Sequence, residues 1–262
     1  MSEPSPFDLA GRVVIVTGGA GQLGRSFVAA LSAAGARIAV IDREAVPEAD
    51  KVLSIVCDIT DRAALEGALA RIESRWGAPY GLVNAAAIDS PPDAPPEENG
   101  PFETYPEASF DRIMSVNVKG TLLCCQVFGG AMAKQGRGSI VNIASIYGMV
   151  SPDQSLYQYR RDRGEVFFKP VAYATSKSAL YNLTRYLAGY WGAKGVRVNT
   201  LTLGGVYNNQ DPAFLERYQA KVPLGRMADA QEYNGVVQFL LSDAASYVTG
   251  SNVVVDGGFT AL

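Results

Sequence analysis

The sequence predicts a single α/β domain: a doubly wound, seven-stranded parallel sheet with helices on both faces. Three observations lead there. Short β-branched apolar runs recur along the chain, as in strands buried on both faces. Stretches with apolar residues three and four apart separate them, as in amphipathic helices. The first run ends in a glycine cluster that opens straight onto a helical stretch, which is how a βαβ unit begins.

Taken in order, strands are expected near residues 12–17, 36–41, 52–57, 80–84, 138–143, 196–202 and 252–255. The first, Arg12-Val-Val-Ile-Val-Thr17, runs into Thr17-Gly18-Gly19-Ala20-Gly21-Gln22-Leu23-Gly24, and Phe27 and Leu31 then mark one face of a helix. A glycine turn between a strand and a helix lets backbone N–H groups approach a pyrophosphate. The second strand ends in Asp42, 24 residues beyond Gly18, where a carboxylate can accept hydrogen bonds from an adenosine ribose. Together these features predict dinucleotide binding.

With 262 residues, 48% of them hydrophobic, the chain suits one substantial core, and no internal repeat or long linker divides it. Residues 1–262 are therefore read as one domain. A net charge of −3 gives nucleic-acid binding no electrostatic footprint. The N-terminus lacks a signal-peptide pattern, and no run of about eighteen apolar residues suggests a membrane span. Cys57, Cys124 and Cys125 form no CxxC pair, so a reduced, cytoplasmic setting without a metal site is expected. There is no histidine, which removes Ser-His-Asp hydrolysis and most zinc catalysis. Acid–base chemistry must then fall to Tyr, Lys, Asp or Glu.

One pair fits that requirement. Tyr173 and Lys177, in Tyr173-Ala-Thr-Ser-Lys177, lie four apart, and Leu180, Leu183, Leu187 and Trp191 continue a helical face. A free phenol titrates near ~10. One cation at ~4 Å, in an effective dielectric of ~20, contributes about 4 kcal/mol, enough to bring that phenol toward neutrality.

With these residues in place, the chain resembles the short-chain dehydrogenase/reductase family over nearly its full length. Gly18, Gly21 and Gly24 stand where that family has its cofactor glycines, with Gln22 and Leu23 between them. Asp58, followed by Ile59, matches the acid that meets the adenine. Asn84-Ala85-Ala86-Ala87 stands where the family usually has Asn-Asn-Ala-Gly. Asn117, Ser145, Tyr173 and Lys177 match the catalytic set in order.

The resemblance implies a Rossmann fold and hydride transfer between nicotinamide and a carbon bearing oxygen. It implies that Tyr173 exchanges the proton, Ser145 binds the substrate oxygen, Lys177 stabilises the phenolate and contacts the ribose, and Asn117 holds a water on the proton path. Asp42 favours NAD, while Arg43 beside it could receive the phosphate of NADP, so NADP stays open. Gly204 and Val206 would complete the cofactor site.

The departures are informative. The turn has Gln22 at the usual second glycine, with Gly21 one place earlier, a spacing that resembles the extended branch of the superfamily. The chain is nevertheless too short for that branch's C-terminal substrate domain. Leu203-Gly204-Gly205-Val206 replaces the usual Pro-Gly before the substrate loop.

Two stretches interrupt the pattern. Residues 89–106 hold six of the fourteen prolines, and residues 151–170 lie in an unusually long gap of 28 positions between Ser145 and Tyr173. Both follow strand carboxyl ends, where substrate binds in this architecture. The second contains Tyr157, Tyr159, Arg160, Arg161, Arg163, Phe167, Phe168 and Lys169. Ser145, Tyr157, Arg160, Arg161 and Tyr173 are accordingly expected to bind substrate, the arginines holding phosphate oxygens of a nucleotide-linked sugar, the alternative for each stretch being a tolerated surface insertion. The segment from Ser151 to Tyr157 resembles sugar-biosynthesis members related to the legionaminic acid pathway.

Three readings result: an oxidoreductase of a sugar or nucleotide-linked sugar, a 3-oxoacyl carrier-protein reductase or general alcohol dehydrogenase, and a non-catalytic dinucleotide sensor. The intact catalytic set favours an enzyme. The Val253-Val-Val255 tail, expected at a sheet edge, predicts a homo-oligomer, a tetramer in particular.

Overall fold

The computed structural model describes residues 5–89 and 96–262, and the expected segment 89–106 therefore falls partly outside the described residues. Seven parallel strands form one sheet: β1 Val13–Thr17, β2 Arg37–Asp42, β3 Val52–Val56, β4 Gly81–Asn84, β5 Gly138–Ser145, β6 Val196–Leu203 and β7 Asn252–Val255. Their order is β3-β2-β1-β4-β5-β6-β7, so the chain reverses direction of winding between β1 and β4. All seven strands lie where the apolar runs predict them.

Helices cover both faces, each lining its own core. On one face Leu65, Ile72, Phe128, Leu187 and Trp191 pack against Ile15, Leu82 and Ile140. On the other, Phe27, Leu31, Val237 and Leu240 pack against Val14, Val16, Val83 and Val141. This two-sided burial is why the strands read as continuous apolar runs.

The helix spanning 107–135 is not uniformly α. It holds two π segments, Ser115–Gly120 and Cys125–Gly129, set between the α turns. The next long helix, Val171–Trp191, starts after Pro170 and buries Lys177, Leu180, Leu187 and Trp191 on one face. Proline just ahead of a helix suits a position with no intrahelical N–H bond.

The 151–170 insertion is folded. It contains a short helix, Gln158–Asp162, and its Leu156, Tyr157 and Phe167 form a third apolar cluster with Ile146, Tyr218, Val222 and Met227. A buried polar chain ties the sheet to the Val171–Trp191 helix. Asn84 donates to Asn142 at 2.8 Å, Asn142 donates to Thr184 at 2.9 Å, and Thr200 bonds Thr184 at 2.7 Å. Burying these polar groups is tolerable because nearly all of them find a partner, the Asn84 Oδ1 being left without one.

Candidate active site

Parallel strands bring Thr17, Asp42, Asn84, Ser145 and Leu203 to one edge of the sheet. The glycine turn lies there. Gly18 has φ +69°, and a Cβ on it would come within 2.7 Å of the Ala86 backbone. On Gly24 a Cβ would fall 2.0 Å from the Gly18 carbonyl oxygen. The following helix, Gln22–Ala33, has no side-chain cap and no acidic residue in its first turn. The result is a tight backbone cradle at an uncapped, partly positive helix end, which suits a dinucleotide pyrophosphate.

Ala85 and Ala86 both donate backbone N–H groups to the Thr17 hydroxyl at 3.2 Å, so the cradle floor is backbone and needs no second asparagine. The Asn84 Nδ2 donates to Asn142 and, at 3.4 Å, to Cys125, while its Oδ1 is buried without a partner. Asp42 accepts from Ala20 N at 2.9 Å and Glu44 N at 3.2 Å, which fixes its carboxylate beside the turn. Asp58 accepts from both the N–H and the hydroxyl of Thr60, which hold its carboxyl below the usual range, and Arg43 adds to the effect. Ile59 is buried, and Leu23 packs on the second core.

Gln22, at the departure from the glycine pattern, donates to the Tyr207 carbonyl at 2.7 Å. The turn is thereby joined to the loop after β6, where Gly204 N–H bonds the Val255 carbonyl at 2.9 Å and Val206 pairs with Ala228.

Ser145, Tyr173 and Lys177 come together at the end of β5. Ser145 lies close enough to the Tyr173 phenol to act on its proton affinity, its Oγ accepts from Tyr147 N at 3.2 Å, and Lys177 Nζ donates to the Ile143 carbonyl at 2.9 Å. Tyr181, one turn further along the helix, bonds the Ser145 carbonyl at 3.0 Å and Thr202 at 2.9 Å, pinning the strand end. Lys177 is only 4% exposed, and burial lowers its pKa to about 8, with Asp89 opposing. Burial also raises the Tyr173 phenol, with Asp89 adding to the rise and Ser145 pulling it down. The expected downward pull of Lys177 on the phenol does not prevail in this structure, because desolvation acts on both groups.

Asn117 lies in the first π segment and is buried. Its side chain accepts from Ile88 N at 2.8 Å and donates to Ile88 O at 2.9 Å and Ser176 Oγ at 2.9 Å. It is therefore a clamp on the segment after β4, with its carboxamide already engaged.

The insertion departs from expectation. Arg161 donates to the carbonyls of Phe167 at 2.8 Å and Gln154 at 2.7 Å, and also to Gln158. Arg160 pairs with Glu165 at 2.6 Å and covers the Phe167 ring. Tyr157 is buried among Phe167 and Phe214. In this structure all three are engaged within the insertion or its apolar cluster. What it does bring to Tyr173 is Lys169, whose Nζ lies 5.1 Å from the Tyr173 ring centroid and pairs with Asp89. A cavity of about 680 Å³ opens beside it, with Lys169 and Tyr147 on its wall. Nothing in the local sequence pairs Asp89 with a residue 80 positions away.

A family model described as "Enoyl-(Acyl carrier protein) reductase" matches residues 18–260. Galactitol 2-dehydrogenase (L-tagatose-forming) of Cereibacter sphaeroides is 35% identical over 269 residues, covering 97% of each chain. A short chain dehydrogenase from Leptospira borgpetersenii, solved with bound NAD+, superposes with a TM-score of 0.87 at 31% identity, over 99% of this chain and 97% of that one. A gluconate 5-dehydrogenase from Burkholderia cenocepacia, solved with NADP and tartrate, gives 0.84 at 25% identity and 98% of each chain. With its glycine cradle, its Ser145–Tyr173 contact and these relatives, the chain belongs to the short-chain dehydrogenase/reductase family and is an NAD(P)-dependent oxidoreductase acting between alcohol and carbonyl.

Proposed function

We propose that the protein oxidises and regenerates a secondary alcohol of a polyhydroxylated substrate without a diphosphate, a sugar alcohol or related polyol, with NAD as the favoured cofactor. The observation that carries this reading is the placing of Ser145, at the carboxyl end of β5, beside the Tyr173 phenol, with the Lys177 ammonium one helical turn away. Galactitol and gluconate, which the named relatives act on, are both polyhydroxylated. The nucleotide-linked version of the sugar reading rested on Arg160 and Arg161, and their engagement inside the insertion favours a substrate without a diphosphate.

Gly18, Gly21 and Gly24 would hold the pyrophosphate, Asp42 the adenosine ribose, and Asp58 with Ile59 the adenine. When bound, the nicotinamide supplies the hydride acceptor or donor. Ser145 donates to the substrate oxygen and fixes it against Tyr173. In oxidation Tyr173 takes the hydroxyl proton, and in reduction it returns one. Lys177 holds its positive charge near the phenolate and is itself held by the Ile143 carbonyl. Asp42 favours NAD because a ribose 2′-phosphate would meet its carboxylate.

The test is a screen of galactitol, erythritol, cyclohexanol and a 3-oxoacyl thioester with both nicotinamide cofactors, following absorbance of the reduced form. The expected result is polyol turnover that falls ~10²-fold or more in Tyr173→Phe, with cofactor binding unchanged. Wild-type turnover in that variant would end the reading. A preference for the thioester would favour 3-oxoacyl reduction instead.

The reading extends to a cytoplasmic homotetramer. All three cysteines are free thiols, and β7 is an edge strand that leaves Val254 38% exposed. Tyr186 and Tyr190 stack on each other on the open face of the Val171–Trp191 helix. Exposed edges and aromatic patches of this kind are usually covered by a partner. Light scattering should give about four times the chain mass, and a monomer at micromolar concentration would refute the assembly.

A further inference from the structure

Two ammonium groups flank the Tyr173 ring. Lys177 Nζ lies 5.7 Å from its centroid and Lys169 Nζ 5.1 Å. Lys177 belongs to the family motif; Lys169 is delivered by the end of the insertion. Its side chain is only 10% exposed, and it is ion-paired to Asp89 in the segment after β4.

Both partners are held by amide clamps. Asn117 holds Ile88, next to Asp89, through both its N–H and its C=O. Gln154 does the same to Lys169, accepting from its N–H at 2.8 Å and donating to its carbonyl at 3.0 Å. Two clamps of one design, on elements far apart in sequence, fix the pair beside the phenol.

We propose that Lys169 and Asp89 are positioning residues that set the proton affinity of Tyr173, and that the 151–170 insertion serves to carry Lys169 to that place. The proposal rests on Tyr173 being the acid–base group. Lys169 favours the phenolate through the ring, and Asp89 moderates it. The other titratable groups facing Tyr173 are Lys177 and Tyr181 on its own helix and Tyr147 after β5, with the Ser145 hydroxyl beside it. Of these only Lys177 is charged near neutrality, so the Asp89–Lys169 pair is the adjustable part of the field. Burial remains the first cause of the raised phenol, and Asp89 comes next.

The signs are opposite for the two partners. Lys169→Met removes a cation and leaves Asp89 facing the phenol, so the rise of kcat/KM for alcohol oxidation moves to higher pH. Asp89→Asn leaves two cations around the ring and moves the rise to lower pH. A unit charge at 5–6 Å in an effective dielectric of ~20 corresponds to about two pH units, and solvent at the exposed side of the pair reduces this to about half to one unit. The double variant should return close to wild type, and Lys169→Arg should keep the wild-type profile.

The experiment measures the pH dependence of kcat/KM for these four variants with saturating NAD+ and galactitol, or cyclohexanol if that alcohol turns over faster. A second readout needs no substrate: tyrosinate absorbance with NAD+ present, taken as the difference between each protein and its Tyr173→Phe counterpart. Opposite shifts that cancel in the double variant support the proposal. Shifts of one sign, no shift, or loss of activity in Lys169→Arg equal to that in Lys169→Met would overturn it. Retained turnover in Tyr173→Phe would instead end the acid–base reading while leaving the tyrosinate shifts to be read, so the two failures are distinguishable.

Discussion

Replacing Lys177 by Met should make the protein more stable while removing its activity. The ammonium is 4% exposed, with one hydrogen bond, to Ile143 O, and its pKa is lowered from 10.5 to about 8 by burial. A depressed base binds its proton less tightly in the folded chain than in the unfolded one. Its charge therefore opposes folding below about pH 8, and the opposition fades as pH rises from about 8 toward 10.5. At neutral pH the gap amounts to about 3 kcal/mol. Met keeps the aliphatic volume but loses the bond to Ile143, at a cost of about 1 kcal/mol. The net gain of about 2 kcal/mol corresponds to a rise in Tm of about 4–8 °C for a domain of this size. Urea or thermal denaturation of the protein without cofactor, at pH 7 and again at pH 10, measures it. The gain should be nearly gone at pH 10, where wild-type Lys177 is largely neutral. A variant no more stable than wild type at pH 7, or a gain undiminished at pH 10, would refute the reasoning.

Gly24→Ala should abolish dinucleotide binding and destabilise the fold, because the added methyl would meet the Gly18 carbonyl at 2.0 Å; cofactor titration by fluorescence and a melting curve would show both. Asp42→Ser should raise kcat/KM for NADP relative to NAD by about tenfold or more, since it removes the carboxylate that would repel a 2′-phosphate. Arg161→Ala should loosen the insertion by about 1–3 kcal/mol, as the Phe167 and Gln154 carbonyls lose a charged donor. Limited proteolysis would cut within 151–170 in that variant, with no selective loss of anionic substrates.

Much of this molecule is legible before any coordinates. The strands announce themselves because both faces of the sheet are covered, and the helix bearing Tyr173 and Lys177 announces itself by Leu180, Leu187 and Trp191. The glycine turn is legible because its geometry tolerates so few residues. What stays hidden is the direction of polar side chains. Asn84 bonds into the sheet and Asn117 grips Ile88, because each follows a partner distant in sequence. The insertion misleads for the same reason. Arginines and aromatics in a loop read as a ligand site until Arg161 is seen capping the loop's own carbonyls. The Asp89–Lys169 pair joins positions that no local pattern connects.

The two π segments of the 107–135 helix bear on how this chain can change in length. A residue added to an α-helix rotates everything after it by about 100°. A π turn absorbs such a residue locally, so the flanking α turns keep their facing. Ile113 and Met132, on either side of the two segments, are both buried. Removing one residue from Ser115–Gly120 would let an unbroken α turn form and swing Asn117 off the Ile88 backbone while leaving the core-facing side chains in phase. The bulge thus works as a length tolerance: it separates the spacing that the core requires from the placement that the active site requires, and a single deletion would spare the first and lose the second.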